Sequence, residues 1–177
     1  MRVLIASDIH GSEFFMNELM KRFYLENAEQ LILLGDLYYH GPRNSLPEGY
    51  NSQKVADALN GIKDKILCVR GNCDSEVDEM ISKFQFTENL QLYVNGKKIF
   101  LTHGHKLEEE KMKGVYDVVI YGHLHTGFIK NEQSTIFANT GSVSLPKNGT
   151  ANSYIVLTDN KIELKDLAGN LIESEDF

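Results

Sequence analysis

Residues 2–10, RVLIASDIH, read as a buried strand that runs straight into two metal-ligating residue types. Arg2 to Ser7 is short and rich in Val, Leu and Ile, as a strand covered on its faces should be. Asp8 and His10 follow its C-terminal end. The arrangement recurs along the chain. Gln30 to Leu34 (QLILL) is a second buried strand, ending at Gly35-Asp36, and Lys65 to Arg70 (KILCVR) is a third, ending at Gly71-Asn72. His103-Gly104-His105 follows a hairpin strand, and Gly122-His123-Leu124-His125 follows Asp117 to Tyr121 (DVVIY). In open α/β sheets ligands bind outside the carboxyl ends of the strands, so five separate loops are placed to converge there.

Between these strands the period changes to that of a helix. Ser12 is an N-cap with Glu13 in the first turn, and Phe15, Leu19 and Phe23 then recur at helical spacing beside Met16, Met20 and Tyr24. Leu37 to Asn51 reads as a loop, broken by Gly41-Pro42, Pro47 and Gly49. Val55, Ala58, Leu59 and Ile62 mark a short helix, and another brief helix starts at Ser75. From about Phe84 the pattern changes again. Gln91 to Leu101 is a hairpin with Asn95-Gly96 suited to a type I′ turn. Phe128 to Ala138 and Tyr154 to Leu167 are two more, the latter turning at Asp159-Asn160. The first half alternates strand and helix, and the second half reads as mostly antiparallel strands. This order predicts an α/β (α+β) fold with two mixed sheets packed face to face and helices outside, in one domain over residues 1–177.

The totals agree with that class. A chain of 177 residues, 42% hydrophobic and 24% charged, is large enough for a full core. Its net charge of −7, with no Lys/Arg run, argues against a nucleic-acid-binding surface. A pair of bound divalent cations would add local positive charge outside that figure, so anionic substrates fit. No apolar run is long enough for a membrane span, and no signal peptide is read at the N-terminus. Cys68 in a strand and Cys73 in a Gly-flanked loop read as reduced thiols of a cytoplasmic protein.

Two carboxylates, an amide oxygen and several imidazoles are hard-to-borderline ligands for divalent metal. They are the types that a two-metal phosphoesterase uses to hold ions about 3.5–4 Å apart. A single Asp-x-His in a loop is more often a cap or a turn. Five such segments, each at a strand end, point to a metal site.

In this order D-x-H, G-D, G-N, G-H-G-H and G-H-x-H resemble the calcineurin-like metallophosphoesterase superfamily. Within it, His40-Gly41-Pro42-Arg43-Asn44, Arg70-Gly71-Asn72-Cys73-Asp74 and Thr140-Gly141-Ser142-Val143 resemble the small single-domain bacterial phosphodiesterases. The resemblance spans essentially the whole chain and implies a four-layer αββα sandwich with a dinuclear centre at one edge. It implies that Asp8, His10, Asp36 and His125 hold one metal, and that Asp36, Asn72, His103 and His123 hold the other, with Asp36 bridging. Two divalent ions against two carboxylates would leave a surplus of about +2, which can make a metal-bound hydroxide from water and neutralise a phosphoryl group. The implied cofactors are two divalent ions, manganese first, with iron, nickel and zinc also compatible with mixed N/O ligands. Family resemblance further implies a homo-oligomer, a dimer or tetramer.

The candidate catalytic residues are Asp36, Asn72, His105 and Cys73. Cys73 stands where many superfamily members carry a histidine thought to protonate the leaving group, and a thiol matches that role poorly at neutral pH. It either fills a loop position beside the metals or acts as a nucleophile. His105 either lies near the phosphate or orients a ligand by hydrogen bonding. His40 and Arg43 lie in the loop after Asp36 as candidate substrate contacts, or as parts of a turn, and Asp74 reads as a supporting or capping acid. The expected function is hydrolysis of a small phosphate ester, a diester first. The alternatives are a phosphomonoesterase, and a non-catalytic scaffold such as the retromer subunit that shares this architecture.

Overall fold

Leu4 and Ala6 of β1 (Arg2–Ala6) face one core while Val3 and Ile5 face another, and all four are buried. Period-2 alternation between two apolar faces makes this a central strand, which explains its near-continuous hydrophobic sequence. The computed structural model describes residues 1–177. After β1 come α1 (Glu13–Leu25), β2 (Gln30–Leu33), α2 (Ser52–Asn60) and β3 (Ile66–Val69), then α3 (Glu76–Ile81) and β4 (Phe86–Thr87). The chain continues with β5 (Leu90–Val94), β6 (Lys97–Thr102), α4 (Glu109–Met112), β7 (Val118–Tyr121) and β8 (Gly127–Glu132). It closes with β9 (Thr135–Thr140), β10 (Ser153–Thr158), β11 (Lys161–Asp166) and β12 (Leu171–Asp176).

Two mixed sheets result, as expected from the sequence. The first has seven strands in the order β12-β11-β10-β1-β2-β3-β4, with β1 to β4 parallel and β10 to β12 an antiparallel run beside β1. The second has five, in the order β5-β6-β7-β9-β8. Leu4, Leu31, Leu33 and Val156 pack beneath Met16, Leu19, Phe23, Val55 and Leu59 of α1 and α2. Val3, Ile5, Ile32 and Ile155 pack between the sheets against Ile99, Leu101, Val118 and Ile120.

The caps are where the sequence puts them. The Ser12 hydroxyl accepts from the Phe15 N–H at 3.2 Å, and Ser75 and Asp78 form a reciprocal capping box at α3. Asn95 and Gly96 both have positive φ, as a type I′ hairpin requires. α2 stops at Asn60, so Ile62 lies outside it, opening a short 3₁₀ turn.

The second half is mostly antiparallel, as the sequence predicts, with one exception to that pattern. β6, β7 and β9 run parallel, because the connection through α4 is a crossover and β8 swings to the outside edge. The fourth layer is slight. One helical turn, α4, covers the outer aromatic face of the second sheet, and Glu109 ties it there by accepting from the Tyr121 hydroxyl (2.5 Å) and the Lys130 ammonium (2.7 Å). No helix is long and apolar enough to cross a membrane.

Ile5 is fully buried between the sheets. Ile5→Ala should destabilise folding by about 2–5 kcal/mol, seen as a lower urea midpoint at an unchanged m value. A loss below ~1 kcal/mol would mean that the inter-sheet core can collapse around the gap.

Candidate metal centre

A backbone carbonyl can only accept a hydrogen bond, so a histidine nitrogen facing one must carry the proton. His10 Nδ1 donates to the Tyr39 carbonyl, His103 Nδ1 to Leu34 and His125 Nδ1 to Leu145, each at 2.7 Å. In the neutral rings each Nε2 is then a bare lone pair. His10 Nε2 and His125 Nε2 lie 3.1 Å apart, and both face Asp8 Oδ1, at 3.5 and 3.1 Å. Asp8 is fully buried and its Oδ1 has no hydrogen-bond donor. Three acceptors aimed at one point, out of water, fit a cation between them.

A second acceptor group adjoins the first. Asp36 Oδ2 lies 3.8 Å from His10 Nε2 and 3.6 Å from His103 Nε2, and His103 Nε2 lies 3.0 Å from Asn72 Oδ1. The ligand atoms of Asp8, His10 and His125 lie within 4.8 Å of one another, as do those of Asp8, Asp36 and His103. Asp8 is common to these two clusters, and Asp36 lies within reach of His10 on one side and His103 on the other. The half-buried His123 ring sits 5.1 Å from His103, centroid to centroid. It belongs to no cluster that tight. Its pKa is lowered, by burial and then by the neighbouring His103.

The backbone is bent to achieve this convergence. Asp8, His10, Asp36, His123 and His125 all have φ between 49° and 66°, half of the ten non-glycine residues with positive φ. Asp and His tolerate that region better than most side chains, but holding it requires support from the surrounding structure. Asp74 gives much of that support. Its carboxylate accepts from the N–H groups of Asp36 (2.8 Å), Leu37 (2.9 Å) and Gly71 (2.7 Å), tying the loop after β2 to the loop after β3. Burial pushes its pKa up to about 6, the nearby Asp36 adding to this while the three N–H groups pull it back. A side chain at Gly71 would strike Asp36, and one at Gly122 would strike Ser7 and Asp8. The Thr140-Gly141-Ser142-Val143 segment holds the Asp8 loop: the Ser142 hydroxyl donates to the Asp8 carbonyl (2.7 Å) and the Val143 N–H to Ser7 (3.1 Å).

A cavity of about 640 Å³ opens over these atoms. Arg43 and Cys73 line it, with Asn44 of the same His40-to-Asn44 run, and so do Tyr39 and Lys147, which the sequence did not single out. Lys147 carries no motif; its place is set by its own N–H, which donates to the His125 carbonyl at 2.8 Å. His40 lies outside the cavity, its ring between those of Tyr39 and Tyr50. His105 is exposed and lines a separate recess with Phe100 and Leu107, its ring 5.4 Å from His103. The Cys73 thiol is held neutral: burial and then the Asp36 carboxylate push its pKa up to about 12.

Residues 1–161 match the model of the calcineurin-like phosphoesterase superfamily domain. The chain is 42% identical to phosphodiesterase YfcE of Escherichia coli K12 over 165 residues, 92% of this chain and 89% of that one. It is 26% identical to phosphodiesterase MJ0936 of Methanocaldococcus jannaschii, over 80% and 83% of the two chains. The solved structure of E. coli YfcE superposes with a TM-score of 0.94 at 38% identity, over 99% of both chains. Zinc-bound Vps29 of Entamoeba histolytica matches at 0.67 and 20% identity over 99% of each chain, a likeness of fold alone.

Burial opposes charge on His10, but Asp8, Tyr39 and Asp36 outweigh it and raise its pKa above the ordinary 6.5. Protonated imidazole therefore accumulates already above pH 6.5, and a protonated ring cannot ligate metal. The affinity of chelator-stripped protein for Mn²⁺, by titration calorimetry, should fall about tenfold or more from pH 8 to pH 6. An affinity that stays flat over this range would show that His10 is not a ligand.

Proposed function

This chain belongs to the calcineurin-like phosphoesterase superfamily, and on that premise we propose that it is a metal-dependent phosphodiesterase acting on small phosphate esters at a dinuclear centre. The observation that carries the proposal is the buried set of unshared acceptors, Asp8 Oδ1 with the Nε2 atoms of His10 and His125, beside Asp36 and His103. Asp8, His10 and His125 would hold one ion, Asn72, His103 and His123 the other, with Asp36 shared between them. Such a pair supplies Lewis acidity toward the phosphoryl oxygens and a nucleophile from water at neutral pH. Manganese is the proposed native metal.

The chain's own groups do the rest. Asp36 Oδ1 accepts from the Cys73 N–H at 2.8 Å, which fixes the carboxylate plane and leaves Oδ2 toward His10 and His103. Arg43 and Lys147 bring two positive charges to the cavity, where they bind the unesterified oxygens of the substrate. A cysteine thiol is a poor general acid at neutral pH, and with a metal pair to supply the nucleophile no attack is asked of Cys73. Esters whose leaving oxygen departs without a proton are therefore favoured. We also propose a cytoplasmic homo-oligomer, a dimer or tetramer; light scattering that finds only monomer at micromolar concentration would overturn the assembly.

Asp36→Asn keeps the shape but removes the shared charge. It should cost bound metal, by elemental analysis, and most turnover, with circular dichroism unchanged. Two ions per chain with normal turnover would refute the bridging role. Cys73→Ala should hydrolyse bis(4-nitrophenyl) phosphate within about tenfold of wild type, or ~1.4 kcal/mol in barrier. A dead but metal-loaded Cys73→Ala enzyme would make the thiol catalytic.

A further inference from the structure

Tyr39 and Cys73 line two cavities at once. One lies over the candidate ligands; the other, about 490 Å³, opens on the far side of Cys73 between Tyr50 and the Val77, Asp78 and Ile81 positions of α3. α3 buries none of its residues, yet Val77 is 64% and Ile81 37% exposed, which is unexplained apolar surface next to a polar site. Tyr39 and Tyr50 are similarly exposed. Both are fixed in place. The Tyr39 carbonyl holds His10, and the Tyr50 ring lies where a side chain at Gly11 would strike it.

The charges are divided between the two cavities. Arg43 and Lys147 both lie on the metal side. The second cavity has one charged wall residue, Asp78, whose carboxylate is already engaged by the N–H and hydroxyl of Ser75 (2.7 and 2.9 Å). An anion gains nothing there, while a flat uncharged ring meets the exposed parts of two tyrosines and two aliphatic side chains. A phosphodiester has two arms on one phosphorus, and the shared wall at Cys73 gives one of them an apolar place.

We infer that the cavity bounded by Tyr39, Tyr50, Val77 and Ile81 is a subsite for one ester arm of the substrate, an uncharged aryl or nucleobase-sized ring. The inference rests on the phosphodiesterase reading above and narrows it to diesters with a ring on at least one arm, over those with two small alkyl arms.

The test uses the Mn²⁺-loaded protein and two inhibitors with the same phosphonate head, phenylphosphonate and methylphosphonate, against bis(4-nitrophenyl) phosphate. Phenylphosphonate should inhibit at a concentration about tenfold lower or more, the scale of one stacked ring. In Val77→Asp, on the exposed face of α3, and in Tyr50→Ala, that ratio should fall to within about twofold, with metal content and circular dichroism unchanged. Equal inhibition of wild type by the two compounds, as a face covered by another chain would give, overturns the subsite. So does a ratio that survives both substitutions. If the loaded protein turns over no diester at all, the phosphodiesterase reading falls with it, and the missing turnover identifies that case.

Discussion

Imidazole rings whose Nδ1 N–H is donated to a backbone carbonyl present bare Nε2 lone pairs, and two such lone pairs repel each other when brought face to face. At this site two of them stand 3.1 Å apart, next to a buried carboxylate oxygen with no donor. Positive charge between them, as metal or as protons, relieves that arrangement, and the upward direction of the His10 pKa is in keeping with protons competing for the place. Much else in the molecule keeps these atoms from relaxing apart. Five candidate ligands sit in left-handed backbone, glycines at 71 and 122 leave room for the loops to cross, and Asp74 fastens two of those loops together. The two-sided core beneath β1 to β3 is what makes that fastening rigid.

The candidate ligands were legible in the sequence because they obey a local rule: a ligand-type residue just after a short apolar strand. The strands themselves were legible because burial on both faces leaves almost no polar residue in them. The direction of β7 and β9 was not, since a strand's own residues say nothing of whether its neighbour runs with it or against it. β12 was missed for a related reason. Its sequence, LIESED, is half acidic, and it is a strand because β11 offers an open ladder. The cavity walls were the least legible. Tyr39 and Lys147 carry no period or motif, and their roles come only from where the loops end up.

Asp74 shows how one residue can serve the site without touching a ligand atom. It lies two positions from Asn72 and one from Cys73, yet its three acceptor bonds hold backbone, not side chains. A neutral amide there could accept fewer of those bonds and would add donors with nothing to meet. The pattern Gly71-Asn72-Cys73-Asp74 thus combines room for Asp36, a ligand type, a cavity wall and a brace in four consecutive positions.

The outer edges of the two sheets have unequal protection, and this bears on how copies of the chain could join. β8 is shielded by the first sheet: Glu173 of β12 accepts from the Ile129 N–H at 2.8 Å, and Glu175 accepts from the Asn131 amide at 3.2 Å. β12 carries its own carboxylates, which deter a like-charged strand, and β4 is only two residues long. β5 has none of these defences; it is five residues long, ends one sheet, and displays Tyr93 at 73% exposure. Any growth of the sheet from one molecule into the next is thereby steered to β5.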